Sequence, residues 1–319
     1  MICALIGYAG SGKTELAGIL CGKKVESFDP HKPVVLTPRV VDRRLEKLAA
    51  IVSPAKTTAP ELTIHDVRGP VRSAGFDEKI IGLLTDPEML LLVVDGFFEN
   101  KPADDIASLC LEFIYRDTER LEGLRERRAE EVRNGRRKEN PAEEAAIGKA
   151  LELLASEHLL SSHDFPAFER SFLNSLNLVT LKKLCVLVNG PECTNEVKDF
   201  CGERHLPLFS FACTAAVRED LEILWKGLLE HLGLRIFFTE GPKEVRGWLM
   251  KAGGVAPDAA AAIHTDLAKG FIRAEVTAYD DFIAAGGNTA VLKEKGQVRL
   301  EGKEYLVKDG DILLIRFSK

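Results

Sequence analysis

The stretch that decides the fold is Ile2–Thr14, which reads I-C-A-L-I-G-Y-A-G-S-G-K-T. It begins with an apolar run of strand length, and the residues after it place apolar side chains at helical spacing. Between the two, Gly7–Thr14 matches the pattern G-x-x-x-x-G-K-[S/T] in full. A strand that turns through glycines into a helix predicts a phosphate-binding loop, because backbone N–H groups and the helix dipole meet there.

The motif predicts a role for each of its positions. The predicted nucleotide-binding residues are Gly7, Gly10, Ser11, Gly12, Lys13 and Thr14. The glycines allow the backbone to fold around phosphate oxygens. Lys13 is predicted to reach the β- and γ-phosphates, and the Thr14 hydroxyl to bind Mg²⁺. The sequence therefore predicts a protein that binds Mg²⁺ together with ATP or GTP.

A second motif, Asp66-Val67-Arg68-Gly69, follows the predicted strand Leu62–His65. In P-loop NTPases a carboxylate at this point holds Mg²⁺, and the glycine N–H can meet the γ-phosphate. We therefore predict that Asp66 shares the metal site with Thr14. Lys13, Asp66 and Gly69 are the predicted catalytic residues.

The base-binding end of the site is less well defined by the sequence. Asn189-Gly190-Pro191-Glu192 follows the predicted strand Leu184–Val188, where GTPases place Asn-Lys-x-Asp. Glu192 is one methylene longer than an Asp that must pair with the edge of guanine, so we expect guanine specificity to be lost. Asn189, Glu192 and Ser210 are predicted to contact the base region, with Ser210 in the last, weakest loop.

The remaining pattern predicts an α/β protein with two additions. Alternating strands and helices predict a doubly wound, mainly parallel sheet. Helices over Asp104–Val132 and Ala142–Leu160 predict a coiled-coil-like insertion, and mixed strands after Arg235 predict a β-grasp fold. That last part includes a helix over Pro257–Leu267 and a hairpin of Tyr305–Val307 with Ile312–Phe317. The predicted domains are the P-loop NTPase domain (1–102 and 177–234), the helical insertion (103–176) and the β-grasp domain (235–319).

Composition excludes several other classes of protein. A net charge of −6 argues against a chain that coats nucleic acid. Apolar runs such as Met89–Val94 are too short to span a bilayer, and no secretory signal follows Met1. The seven cysteines are scattered without a C-x-x-C pair, which is typical of reduced thiols. We expect a cytoplasmic protein with no membrane association, and a monomer is favoured.

Four stretches of the C-terminal part are distinctive: Phe237–Arg246 (F-F-T-E-G-P-K-E-V-R), Ala262–Asp266 (A-I-H-T-D), Lys269–Val276 (K-G-F-I-R-A-E-V) and Asp309–Asp311 (D-G-D). With these stretches the chain resembles the YchF/Obg-like ATPase family. The resemblance covers essentially the whole chain, which is shorter than typical members. It implies a GTPase-class P-loop domain, a helical domain and a ubiquitin-like TGS domain. Members bind and slowly hydrolyse ATP, often in preference to GTP, and associate with ribosomes, so the resemblance implies a ribosome or RNA partner.

The chain departs from the family pattern at three places. Family P-loops carry Asn at the position of Gly10, and the stretch aligned with switch I, Asp29–Pro33, is shortened. The family's Gly-rich switch II is replaced by Pro70–Phe76. Because hydrolysis depends on such loops, two hypotheses remain. The first is a slow ATPase or GTPase that switches ribosome or RNA association. The alternative is a nucleotide-binding adaptor that does not hydrolyse its ligand.

Overall fold

A computed structural model describes residues 2–25, 32–72, 75–97, 101–215 and 217–318. The strands are β1 (Ile2–Ile6), β2 (Val34–Leu36), β3 (Thr57–Thr58), β4 (Thr63–Asp66), β5 (Met89–Asp95), β6 (Lys183–Asn189), β7 (Leu208–Ser210), β8 (Leu234–Thr239), β9 (Val245–Lys251), β10 (Phe271–Thr277), β11 (Val298–Glu301) and β12 (Ile312–Phe317). The helices are α1 (Lys13–Cys21), α2 (Arg43–Val52), α3 (Glu78–Gly82), α4 (Pro102–Arg133), α5 (Pro141–Ala155), α6 (Ala167–Ser175), α7 (Asn195–Glu203), α8 (Arg218–Leu232), α9 (Ala256–Ile263), α10 (Thr265–Lys269), α11 (Tyr279–Ala284) and α12 (Thr289–Glu294). None of the helices within these described ranges is long and apolar enough to cross a membrane.

The chain divides into two compact units. The first comprises Met1–Thr37 and Thr63–Ala216, and the second comprises Pro38–Leu62 and Val217–Lys319. The predicted domain boundaries group the chain differently at two places: they place 38–62 and 217–234 in the P-loop domain, whereas both ranges lie in the second unit. The division into four segments stays a prediction.

The first unit is built on the predicted mainly parallel sheet. Its strand order is β2-β4-β1-β5-β6-β7, and only the pair β2–β4 is antiparallel. The central strand β5 is buried from Met89 to Val94, as expected for a strand covered on both faces. This sheet confirms the doubly wound α/β class.

The register of the sheet assembles the motifs at one edge. Leu5 pairs with Asp66, Asp95 with Asn189, and Val188 with Ser210. Because the strands are parallel, the residues that follow β1, β4, β6 and β7 all leave the sheet at its carboxyl edge. Ligands of open α/β sheets bind at this edge.

The helical insertion consists mainly of α4 and α5, which share a core with the sheet. Leu121 of α4 and Ile147 and Ala150 of α5 belong to the same buried cluster as the strands. The prediction over Asp104–Val132 is confirmed within α4. The second predicted helix ends at Ala155 rather than at Leu160, because Glu157 adopts a left-handed φ of 58° that an α-helix cannot continue.

The second unit contains the predicted β-grasp fold. Its sheet has the order β11-β10-β12-β8-β9-β3. β8 and β9 form an antiparallel hairpin, and β12 lies parallel to β8. Small residues on α9, including Ala259 and Ala260, pack into the core beneath Phe237 and Val276. The mixed pairing of strands, with α9 packed into the core, confirms this part of the predicted fold class.

Two local predictions in the second unit are wrong. Tyr305–Val307 does not pair with β12, which lies between β10 and β8; its only bridge among the described residues joins Leu306 to Val255. The helix predicted over Pro257–Leu267 is broken at His264, whose backbone is extended at φ −165°. The His264 Nδ1 atom accepts a hydrogen bond from Asp266 N and thereby starts α10 as a new helix.

Candidate functional site

The predicted phosphate-binding loop connects β1 to α1. Gly12 precedes the first residue of α1 with φ 91°, a backbone conformation that favours glycine. A Cβ atom at Gly12 would also lie 2.1 Å from the Asn189 Nδ2 atom. Both conformation and space therefore require a glycine here. The loop brings the N-terminus of α1, with its unpaired backbone N–H groups, to the carboxyl edge of the sheet.

The Lys13 ammonium lies inside this loop. It donates hydrogen bonds to the carbonyl oxygens of Gly7 at 2.9 Å and Tyr8 at 2.7 Å, and to Ser11 Oγ at 3.4 Å. Burial lowers the pKa of Lys13 to about 8, and the nearby Asp66 carboxylate partly offsets this effect. A cation held by carbonyl oxygens, with no full counter-charge in contact, is well suited to bind an anionic phosphate.

Thr14 and Asp66, the predicted metal residues, are in direct contact. The Thr14 hydroxyl donates a 2.8 Å hydrogen bond to Asp66 Oδ2. Asp66 is 5% exposed, and burial raises its pKa, while the Thr14 hydroxyl and the Lys13 charge act in the opposite direction. The structure therefore places a hydroxyl and a carboxylate side by side, beside the end of α1.

This pair of oxygen ligands fits Mg²⁺. The ion prefers hard oxygen ligands and binds through one or two protein groups together with waters and substrate phosphates. Within the described residues, no group of three or more His, Cys, Asp or Glu side chains could hold a metal ion by itself. A metal bound at Thr14 and Asp66 would therefore depend on phosphate oxygens for the rest of its coordination.

Gly69 lies against the phosphate-binding loop. A Cβ atom at this position would be 1.7 Å from the Gly7 carbonyl oxygen and 2.9 Å from Lys13 Nζ. The next residue extends the contact, because the Ala9 N–H donates a 2.8 Å hydrogen bond to the Pro70 carbonyl oxygen. The structure thus brings three predicted catalytic residues, Lys13, Asp66 and Gly69, to one place.

The segment that follows Gly69 is attached to α4. Arg72 forms an ion pair with Asp105, and Arg116 donates to the carbonyl oxygen of Phe76. Phe76 is fully buried and its ring lies 5.6 Å from that of Phe113. No sequence pattern predicts these contacts, because they join a loop to one face of a helix more than 30 residues away. The switch I stretch Asp29–His31, and Ser73–Ala74 of this segment, lie outside the described residues.

The predicted base-binding residues do not form one cluster, unlike Lys13, Asp66 and Gly69. Asn189 is buried, and its amide donates to the Ser11 carbonyl oxygen at 3.3 Å and accepts from the Cys213 N–H at 3.1 Å. Ser210 donates to the Gly190 carbonyl oxygen at 3.3 Å. The Glu192 side chain is exposed in the connection from β6 to α7. Asn189 therefore ties the phosphate-binding loop to the β7 end, and Glu192 does not share this network.

Comparisons with known proteins find relatives of the whole chain. The family YchF-GTPase_C, described as a protein of unknown function (DUF933), matches residues 234–318. The chain is 29% identical over 368 residues to the protein named ribosome-binding ATPase YchF of Bacillus subtilis, with coverage of 100% of this chain and 99% of that relative. It is 31% identical over 364 residues to the protein of the same name of Haemophilus ducreyi, with coverage of 99% of each.

A solved structure shares the fold. The Schizosaccharomyces pombe YchF GTPase superposes with a TM-score of 0.80 at 22% identity, covering 99% of this chain and 97% of that one. The sequence alignments are longer than this chain of 319 residues, so the relatives contain positions with no counterpart here. Identity of 31% across nearly the full length of both chains is decisive. The chain belongs to the YchF family.

Proposed function

We propose that this protein is a nucleotide-binding ATPase that associates with ribosomes. The observation that carries the proposal is the arrangement at the start of α1, where the Lys13 ammonium donates to the Gly7 carbonyl oxygen and the Thr14 hydroxyl donates to Asp66. Ammonium, hydroxyl, carboxylate and helix N-terminus are the groups that hold a metal-bound triphosphate. The names of the relatives in Bacillus subtilis and Haemophilus ducreyi support both the ATPase activity and the ribosome partner.

We propose the following role in hydrolysis for each residue of the site. The loop N–H groups and Lys13 would bind the β- and γ-phosphates, and the Gly69 N–H would orient the γ-phosphate. Mg²⁺ held by Thr14 and Asp66 would neutralise charge on the phosphate oxygens. Water would attack the γ-phosphorus, the bond to the β–γ bridging oxygen would break, and ADP and phosphate would leave.

The proposed rate of hydrolysis is slow. Between Asp66 and Phe76 the other ionisable side chains are Arg68 and Arg72, so this stretch supplies no second carboxylate and no imidazole to orient the attacking water. P-loop enzymes without a positioned water hydrolyse slowly until a partner completes the site. The ribosome is the proposed partner. The bound nucleotide would then set the affinity of this protein for the ribosome.

We propose that the site binds ATP without strict selection against GTP. Recognition of guanine requires a carboxylate at fixed distance from the base edge. Glu192 is exposed and is longer than the Asp that serves this purpose in GTPases. A solvated carboxylate provides little discrimination between the two bases.

Calorimetric titration with Mg·ATP and Mg·GTP tests the binding proposal. We expect Lys13→Ala to weaken the affinity for both nucleotides at least about 100-fold, since a charge-assisted contact to phosphate is lost at a buried position. The matched control is Lys182→Ala. The Lys182 ammonium also donates to two carbonyl oxygens, those of Thr85 and Pro87, but lies at the opposite edge of the sheet. Equal affinities of wild type and Lys13→Ala would contradict the proposal.

A second candidate is an adaptor that binds nucleotide without hydrolysing it. The attachment of Arg72 and Phe76 to α4 favours it, because a fixed segment does not respond to the γ-phosphate in the way a mobile switch does. Phosphate release with and without ribosomes separates the two candidates. Release no faster than from Lys13→Ala, together with ribosome co-sedimentation that is equal with ATP and ADP, would select the adaptor.

A further inference from the structure

The segment after Gly69 contacts the phosphate-binding loop on one side and α4 on the other. Gly69 and Pro70 touch the loop at the Gly7 carbonyl oxygen and the Ala9 N–H. Arg72, only two residues further along, makes its hydrogen bonds to α4. A displacement of Gly69 from Lys13 would therefore have to stretch or break the contacts of Arg72.

The contact of Arg72 with α4 is an ion pair of good geometry. Arg72 Nε lies 2.9 Å from Asp105 Oδ1, and Nη2 lies 2.8 Å from Oδ2. Two parallel hydrogen bonds from a planar guanidinium fix direction as well as distance. The Asp105 side chain is only 10% exposed, whereas that of Arg72 is 48% exposed. The acceptor, Asp105, is thus buried in the first turn of α4. If the ion pair broke, the half-exposed Arg72 is the partner that would move.

Arg72 also contacts the phosphate-binding loop directly. Its guanidinium carbon lies 5.7 Å from the centre of the Tyr8 ring, within the range of a cation–π interaction. Burial raises the pKa of the Tyr8 hydroxyl, and Ser108, one turn beyond Asp105 on the same face of α4, lowers it by a smaller amount, so Tyr8 faces this part of α4. Tyr8, Arg72 and α4 therefore form one connected cluster directly beside Gly7 and Lys13.

We propose that Arg72 is a positioning residue for the γ-phosphate, which holds Gly69 at the end of Lys13 through its ion pair with Asp105 and its contact with Tyr8. The inference rests on the proposed nucleotide binding and adds to it. In this chain α4, rather than the bound nucleotide, would order the segment around Gly69. The Gly-rich sequence that the family has after this point is then dispensable here, because the segment needs no freedom to close.

The proposal predicts a difference between two ligands. A ligand with a γ-phosphate uses the ordered Gly69, whereas ADP does not reach it. Loss of the ion pair leaves the binding-competent arrangement only partly populated, and apparent affinity falls by that fraction. For Arg72→Gln we expect about 3- to 10-fold weaker binding of a non-hydrolysable Mg·ATP analogue, with Mg·ADP changed by less than about 2-fold.

Calorimetry on the full chain provides the test. Asp105→Asn should give the same selective loss, and the double variant should lose no more than either single one, because both remove one interaction. The matched control is Arg137→Gln, which removes an ion pair with Glu143 (Nη2–Oε2 2.6 Å) in the turn after α4. Arg72→Lys keeps the charge but not the paired hydrogen bonds, and we expect it to restore affinity only in part. Amide hydrogen exchange of residues 67–72 should be faster in Arg72→Gln without any ligand.

Each other outcome overturns the inference. Equal losses for the analogue and for ADP would mean that Arg72 supports the fold of the loop and not the γ-phosphate position. Unchanged affinities for both would mean that the ion pair has no role in binding, and tighter binding of the analogue would mean that it restrains the segment. A wild-type chain that binds neither ligand would overturn the proposed nucleotide binding as well. Failure of the proposed function can therefore be distinguished from failure of the inference about Arg72.

Discussion

The phosphate end and the base end of the same sheet edge differ in how their side chains are used. At the phosphate end, Lys13 and Asp66 are both buried, each charge acts on the pKa of the other, and both pKa values are shifted by burial. At the base end, the buried side chain of Asn189 is bound to backbone groups of the protein itself. Glu192, the charged group there, is exposed.

The difference separates two kinds of recognition. Buried charges without full partners are costly, and their presence is explained when a ligand completes them. The buried charges at the phosphate end therefore destabilise the protein without a ligand, as expected for a binding site. At the base end the buried Asn189 amide already bonds to backbone groups of the protein. It is therefore not free to distinguish one base from another. We expect perturbations at the phosphate end to have the larger effects.

The strongest test of the phosphate end in this comparison is Asp66→Asn. The substitution keeps the shape of the side chain and a hydrogen-bond partner for Thr14, but removes the charge that would attract Mg²⁺. Loss of a metal-site carboxylate should weaken nucleotide binding about 10- to 100-fold when Mg²⁺ is present. With EDTA in place of Mg²⁺ the two proteins should bind nucleotide equally. An equal loss under both conditions would contradict a metal role for Asp66.

The pH dependence of binding is the second test. With a pKa of about 8, Lys13 is largely charged at pH 7 and largely neutral at pH 9. Because the charged form binds phosphate, ATP affinity should fall about 10-fold between these pH values. Titration at pH 8.5 in buffers of different ionisation enthalpy should detect proton uptake on binding. Lys13→Arg, which stays charged throughout, should remove the slope.

The same pKa has a consequence for stability with the opposite sign. The unfolded chain holds the Lys13 proton up to about pH 10.5, while the folded chain releases it near pH 8. Between these values the unfolded state binds more protons, so the contribution of Lys13 to the free energy of unfolding rises with pH. If ATP affinity falls with pH while the free energy of unfolding rises, the loss of binding comes from deprotonation of Lys13 and not from unfolding of the protein.

Local features of the site followed from the sequence, and distant contacts did not. Gly7–Thr14 dictates its own strand, turn and helix, and parallel pairing of β1 with β4 is enough to bring Asp66 to Thr14. The partners of Asn189 and Arg72 depend instead on which helix face and which loop pack nearby, and no spacing rule encodes this. The incorrect prediction of a hairpin between Tyr305–Val307 and β12 has a similar cause. The turn around Gly310 is present, but a turn sequence does not determine which strand pairs with β12.

The smallest predicted effect is that of Glu192→Ala at the base end. Since an exposed carboxylate gains little from a hydrogen bond that water can replace, the affinities for Mg·ATP and Mg·GTP should each change by less than about 2-fold. Asn189→Ala provides the contrast, because it removes buried hydrogen bonds to Ser11 and Cys213 and should cost about 2 kcal/mol of stability, measured by urea unfolding. A selective loss of GTP binding in Glu192→Ala would show that this carboxylate reads guanine after all. The base end would then be a selective site, and the contrast with the phosphate end would disappear.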